Sequence, residues 1–249
     1  MKDNQVDLCG QIGAAEDETF PVLTEADTFS FACNGCGDCC RGREDIVLSG
    51  YDLWRLSARL RLPPALVVRS FCRHYVGTAS HMPVVRLRPM KTEKNNCPFL
   101  YQGHCAVHDA EPLVCALYPL GQQIDRDGTV TYFAQPTDCG GQVCQARVAD
   151  YLDRYGIRER VPLDVQWAMQ CIRLSREMRR LEGVLAPAVL KLAQRRVYRA
   201  LYLDYDPQQP YPAQFAANLT RLDAELARLE RENTGPDRVK PRPICAEKP

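Results

Sequence analysis

"FACNGCGDCCRG", residues 31–42, places Cys33, Cys36, Cys39 and Cys40 within eight positions. Thiols at that density serve disulfides, redox chemistry or a metal, and the rest of the chain discriminates among these. A disulfide framework is the weakest reading. The thirteen cysteines, at 9, 33, 36, 39, 40, 72, 97, 105, 115, 139, 144, 171 and 245, cannot all pair within one chain. A bond between adjacent Cys39 and Cys40 would close a strained ring. The opening "MKDNQVDLCGQIG" lacks the basic and apolar regions of an export signal. The predicted location is the cytoplasm, where thiols stay reduced.

Metal binding fits the spacing better. A C-x2-C pair lets two thiolates reach one ion from a single turn. Here the pattern overlaps as C-x2-C-x2-C-C, and Gly35, Gly37 and Gly42 suit backbone that folds tightly around an ion. The run C-x2-C-x2-C also begins the bacterial ferredoxin pattern, although Cys40 directly after Cys39 departs from it. A Cys-Pro occurs downstream, at Cys97-Pro98.

A second group reads "CPFLYQGHCAVHDAEPLVCALYPLG", with Cys97, Cys105 and Cys115, and "TDCGGQVC" adds Cys139 and Cys144. Cys33, Cys36, Cys39, Cys40, Cys97, Cys105, Cys115 and Cys139 make eight candidate ligands, enough for two four-ligand sites or a cluster plus one ion. The predicted cofactor is a 4Fe–4S cluster or a zinc or iron ion, with the ferredoxin-like start favouring iron–sulfur. Cys144 fits either role, and His104 and His108 flank Cys105 as candidate nitrogen donors. Cys9, Cys72, Cys171 and Cys245 read as small core residues or tail thiols.

Taken together, "CNGCGDCCRG", "DIVLSGYDLWRLSARL", "CPFLYQGHCAVHDAEPLVCALYPL" and "CGG" resemble, in order, the CxxCxxCC cysteine-cluster proteins, YkgJ-like zinc- or iron-chelating proteins of bacteria. The resemblance spans about residues 30–145. It implies a metal- or iron–sulfur-binding protein. Its relative flagellin lysine N-methylase implies, as an alternative, protein-lysine methylation with S-adenosylmethionine. The family often has Arg-Pro and Cys-Arg where this chain has Glu111-Pro112 and Cys115-Ala116. Arg41 and Arg43 are the candidates to offset the charge of a thiolate site instead.

The 249 residues are 45% hydrophobic and 25% charged, an ordinary globular balance. A net charge of +1 gives no general pull toward nucleic acid or anionic membrane, so neither is expected as a partner. No run reaches the roughly 18 apolar residues of a membrane span. Acids concentrate in residues 1–30 and bases in 171–199. The basic helices of 163–203 are therefore a candidate surface for a protein substrate or partner, a zinc-stabilised interaction module being the third function considered. A solvated, charge-laced helix face is the plainer alternative.

The fold class expected is α+β: a small cysteine-rich metal-binding domain with short strands and helices, followed by a helical region. The boundaries are 1–28 for a loosely ordered acidic segment, 29–145 for the metal- or iron–sulfur-binding domain, 146–232 for helices packed on it, and 233–249 for a disordered tail. "EDIVLS", "PVVRLRPM" and "GTVTYFAQP" read as strands. Ser49 and Asp52 resemble a capping box opening a helix over "YDLWRLSARLRL". "PALVVRSFCRHY" reads as the next helix, started by proline. Helices follow over "QARVADYLDRY", "LDVQWAMQCIRLSREMRRLEG", "PAVLKLAQRRVYRALY" and "AQFAANLTRLDAELARLERE". Phe215, Leu219, Leu222, Leu226 and Leu229 form a stripe on the last of them. No phosphate-binding, nucleophile-elbow or zinc-protease motif occurs.

Overall fold

The computed structural model describes residues 20–31, 33, 35–44, 46–91, 95–137 and 145–234. The fold is α+β, with short antiparallel strands in the first part and long helices in the second.

Strand β3 (Val47–Leu48) leads into α1 (Gly50–Leu60). The capping box is formed. Asp52 N donates to Ser49 Oγ at 3.1 Å, and Ser49 N donates to Asp52 Oδ2 at 2.9 Å, which satisfies two amides that the first turn leaves open. Leu53 and Leu56 are fully buried, each worth about 1.5–3 kcal/mol of transfer free energy. Helix α2 (Pro64–Phe71) begins at its proline but ends earlier than its apolar pattern suggests. Residues Cys72–Val76 instead form β4, paired antiparallel with β5 (Pro83–Leu87), which also pairs with β3. Cross-strand pairing overrides the helical tendency here. Cys72 is a core residue as expected, but on a strand.

A second sheet, in the order β1-β9-β8, joins β1 (Val22–Leu23), β9 (Val130–Ala134) and β8 (Leu120–Ile124). Strand β2 (Thr28–Ser30) pairs with β10 (Gln145–Arg147). Val22–Leu23 and Thr28–Ser30 are thus tied into two sheets. Residues 1–19 and 235–249 lie outside the described residues. Between the sheets, β6 (Leu100–Tyr101) and β7 (His104–Cys105) form a hairpin. Its turn residues, Gln102 and Gly103, both have positive φ, 49° and 81°, as tight hairpin turns require. Helix α3 (Leu113–Leu117) follows.

The helical part comprises α4 (Val148–Arg154), α5 (Ile157–Glu182), α6 (Pro187–Tyr198) and α7 (Tyr211–Thr234). All five stripe residues of α7 are buried. On α5 the buried face runs through Asp164, Trp167, Ala168, Cys171, Leu174, Met178 and Leu181, so Val165, Met169 and Ile172 lie at its margin. One core cluster joins β3–β5, α1 and α2 to α5–α7. A smaller cluster lies under β1, β8, β9 and α4. No helix of the described residues is long and apolar enough to cross a membrane.

Candidate metal centre

The cysteine knuckle is a chain of forced turns. Gly35, Gly37 and Gly42 have φ of 70°, 73° and 62°, conformations that side chains with a Cβ resist. Between them a single 3-10 turn, Asp38–Cys40, closes with Cys40 N donating to Gly37 O at 3.0 Å. The knuckle packs directly on the β6–β7 hairpin. A Cβ on Gly37 would stand 2.5 Å from Gly103 O. Cys97 N donates to Cys40 O at 2.8 Å, and Leu100 N to Cys97 O at 3.1 Å. These bonds fix Cys97 and Cys105 against the knuckle.

The result is a convergence of thiols from three segments. The Cys40 thiol lies among those of Cys39, Cys97 and Cys105, near enough for each to act on it. Their proximity raises Cys40 and lowers Cys39, Cys97 and Cys105, since a neighbour that keeps its proton favours a thiolate beside it. Cys115, on α3, feels the charges of Cys97, Cys105 and Cys39, and its burial keeps the thiol neutral. Cys40, Cys105 and Cys115 all pack on the larger core, which contains Cys97, while Ala116 and Leu117 of the same helix enter the smaller one. The thiols therefore sit on the seam between the two cores.

The remaining predicted ligands are placed differently. Cys36 is half-buried in the knuckle, and its carbonyl accepts from Arg41 Nη1 at 2.9 Å. Cys33 is exposed and lines a small cleft with Phe31, Tyr151 and Tyr155. Cys139 and Cys144 lie outside the described residues, as do Cys9 and Cys245. Cys72 and Cys171 are buried in the core. Cysteines among the described residues form no disulfide.

Two neighbours escape the cysteine pattern. The Glu111 carboxylate is largely buried and acts on Cys39, Cys105 and Cys115, making their ionisation harder. Burial raises Glu111 itself above the usual carboxylate range. His108 Nδ1 lies 3.1 Å from Glu111 Oε2, so this histidine faces the carboxylate at the rim of the thiols. His104 is exposed on β7. Of the two candidate cations, Arg43 acts on Cys39, while Arg41 turns to Asp38 and Cys36 O.

Helix α1 grips the loop that joins these thiols. Asp52, Arg55 and Arg59 recur at helical spacing along one face. Asp52 Oδ1 accepts from Leu113 N at 3.0 Å, Arg55 donates to Asp109 O at 2.9 Å and Glu111 O at 3.2 Å, and Arg59 Nε donates to the Asp109 carboxylate at 2.8 Å. The sequence carries no signal for this clamp, because every group it holds on the loop but the Asp109 carboxylate belongs to the backbone.

The donors suit a thiophilic cation. A tetrahedron with metal–sulfur bonds of about 2.3 Å has sulfurs roughly 3.8 Å apart, comparable to thiols in mutual hydrogen-bond contact. Among the described residues, no group of three or more His, Cys, Asp and Glu side chains stands in an arrangement that would hold a metal ion.

Residues 32–140 match the CxxCxxCC family. Its description reads "putative zinc- or iron-chelating domain". The matched segment contains the knuckle, the hairpin, α1 and α3. No curated protein and no solved structure matches the chain.

Charges on the helical part are mostly satisfied internally. Arg173 pairs with Asp223 at 2.9 Å, and Arg180 with Glu177 at 2.7 Å and Glu230 at 2.6 Å. Arg158 reaches Glu25 at 2.7 Å, which ties the acidic segment to α5.

Proposed function

We propose that this protein holds iron or zinc through the thiolates of Cys39, Cys40, Cys97 and Cys105, with Cys115 beside them and Cys33, Cys36 and Cys139 supplying further sulfur. The observation that carries this reading is the gathering of the Cys39, Cys97 and Cys105 thiols around that of Cys40, held by Cys97 N donating to Cys40 O and by the close approach of Gly37 to Gly103. Thiolates crowded in this way repel until a cation neutralises them, so binding would be coupled to folding and to proton release. A bound iron–sulfur cluster would supply one-electron chemistry. A bound zinc ion would supply structural cross-linking.

The C-x2-C-x2-C start and the resemblance to flagellin lysine N-methylase support the iron–sulfur form. The gathering of four thiols around Cys40 favours a second reading, one zinc or iron ion in four thiolates. In both, this chain's residues have the same tasks. The glycine turns orient the thiols, Arg43 offsets their charge, and the α1 clamp fixes the Cys105–Cys115 loop. S-adenosylmethionine-dependent methylation of a protein lysine is proposed on the resemblance alone, and binding of S-adenosylmethionine to the reduced, metal-loaded protein tests it.

Metal and acid-labile sulfide analysis of protein purified without oxygen tests the main reading. Iron with equimolar sulfide supports the cluster, and one zinc or iron without sulfide supports the four-thiolate ion. Protein that folds fully and binds neither metal sinks both.

A further inference from the structure

Helix α6 widens at its end. Residues Arg199–Leu203 form a π-helical segment, closed by Asp204 N donating to Arg199 O at 2.9 Å. Such segments occur often at functional sites. Here the segment is locked from both sides. Tyr205 Oη donates to Ala200 O at 2.9 Å, and the buried Asn218 of α7 donates through Nδ2 to Asp204 O at 2.8 Å.

Beside this segment, between α6 and α7, lies a cavity of about 320 Å³. Its floor includes the apolar Ala200 and Leu222. Arg196, Arg199 and Arg221 provide three guanidiniums, against the carboxylates of Asp204 and Glu225, an excess of one positive charge. Asp204 bridges two of the cations: Oδ1 accepts from Arg199 Nη2 at 2.8 Å and Oδ2 from Arg221 Nη2 at 3.1 Å. The same Arg221 nitrogen donates to Asn218 Oδ1 at 2.9 Å, so a buried amide orients it. Arg196 is held least, with Nε 3.6 Å from Glu225 Oε2.

Each guanidinium carries five N–H donors in a planar fork. Protein contacts engage the Nη2 atoms of Arg199 and Arg221 and the Nε of Arg196, and leave the other donors for a ligand. The Asp204 carboxylate already shows the chemistry that the cations accept, a planar oxyanion shared between two forks. The volume lies at the lower end of the range for metabolite pockets.

We propose that this cavity binds a small oxyanion, a phosphate monoester or a carboxylate, through Arg196, Arg199 and Arg221. No cysteine lines it, so the proposal stands independently of the metal reading.

Inorganic phosphate and succinate, titrated separately by calorimetry into the purified full chain at low ionic strength, test it. Saturable one-to-one binding of at least one anion is expected, and which of them binds identifies the phosphate or carboxylate class. Arg196→Gln and Arg199→Gln should each weaken binding at least tenfold. Arg158→Gln, outside the cavity, should leave it unchanged. Asp204→Asn, which frees two guanidiniums from their resident carboxylate, should strengthen it severalfold, whereas a merely structural network would not respond in that direction. If Arg199→Gln does not fold, Arg196→Gln and Asp204→Asn decide. Absence of saturable binding by either anion, equal affinity in Arg196→Gln and the unaltered protein, or no gain in Asp204→Asn would overturn the proposal.

Discussion

Arg160 Nη2 donates to Asp52 Oδ1 at 2.9 Å across 108 residues of sequence, and both side chains are buried. The same guanidinium grips Asp164 with two bonds of 2.9 Å and stands 5.3 Å above the Tyr51 ring. Asp52 in turn caps α1 and accepts from Leu113 N, the first residue of the helix that carries Cys115. One buried cation therefore joins α5, α1 and the thiol-bearing α3.

Removing that cation should be severe. Arg160→Met leaves Asp52 and Asp164 buried without their partner, and loss of one member of such a pair costs about 3–5 kcal/mol. Urea denaturation of the variant should show a loss of this size. A loss below about 1 kcal/mol would mean that the buried pair is far weaker than its geometry implies.

Asp164 should make stability depend on pH in the unusual direction. Burial raises it from 3.8 to about 6, against the pull of Arg160. The folded state then keeps its proton over a range in which the unfolded chain has lost it. The contribution is present below about pH 4 and is lost as pH rises through 6, an upper bound of about 3 kcal/mol. The melting-temperature difference between the unaltered protein and Asp164→Asn should shift in favour of the former between pH 7 and pH 4.5. Other titrating groups cancel in that difference, so a shift toward the variant would contradict the assignment.

Cysteine substitutions should divide by location. Cys40→Ser removes the thiol common to all the contacts and should reduce bound metal by more than half. Cys33→Ser, at the exposed cleft, should reduce it less. Cys72→Ala and Cys171→Ala should keep full metal content while losing roughly 1–2 kcal/mol of stability, as core truncations do. Elemental analysis of the four variants, paired with denaturation, separates these effects; equal metal loss in all four would contradict the arrangement.

Gly37→Ala should disturb the centre without touching a sulfur. The residue has φ of 73°, and its new methyl would meet Gly103 O at 2.5 Å. Left-handed strain alone costs about 1–2 kcal/mol, and backbone must also move apart where the knuckle meets the hairpin. Weaker metal retention against a chelator is expected, together with a lower melting temperature. Gly42→Ala makes the comparison, since a Cβ there meets nothing within 4 Å and only the strain applies.

Much of this protein was legible locally. Four cysteines in eight positions, spaced by glycines, marked a thiol-rich knuckle, yet of the four it is Cys39 and Cys40 that lie with Cys97 and Cys105. The Ser49–Asp52 box and the apolar stripe of α7 were equally readable, since hydrogen bonds and burial over one or two turns depend only on helical period. Where local tendency met tertiary pairing, it lost. Cys72–Val76 has a helical pattern but completes a sheet with β5, and α6 ends in a π segment where a continuous helix was expected.

By itself the sequence determined which residues carry thiols, which faces are apolar and where the helices begin. Only the tertiary structure decided which sulfurs meet. It gathered Cys39, Cys40, Cys97 and Cys105, set Cys115 beside them, turned Cys33 toward another cleft, and placed Glu111 and Arg43 among the thiols. Those choices depend on the β6–β7 hairpin, the α1 clamp and the Arg160 bridge. Their partners are backbone groups and distant charges, and a backbone carbonyl leaves no mark in the order of side chains.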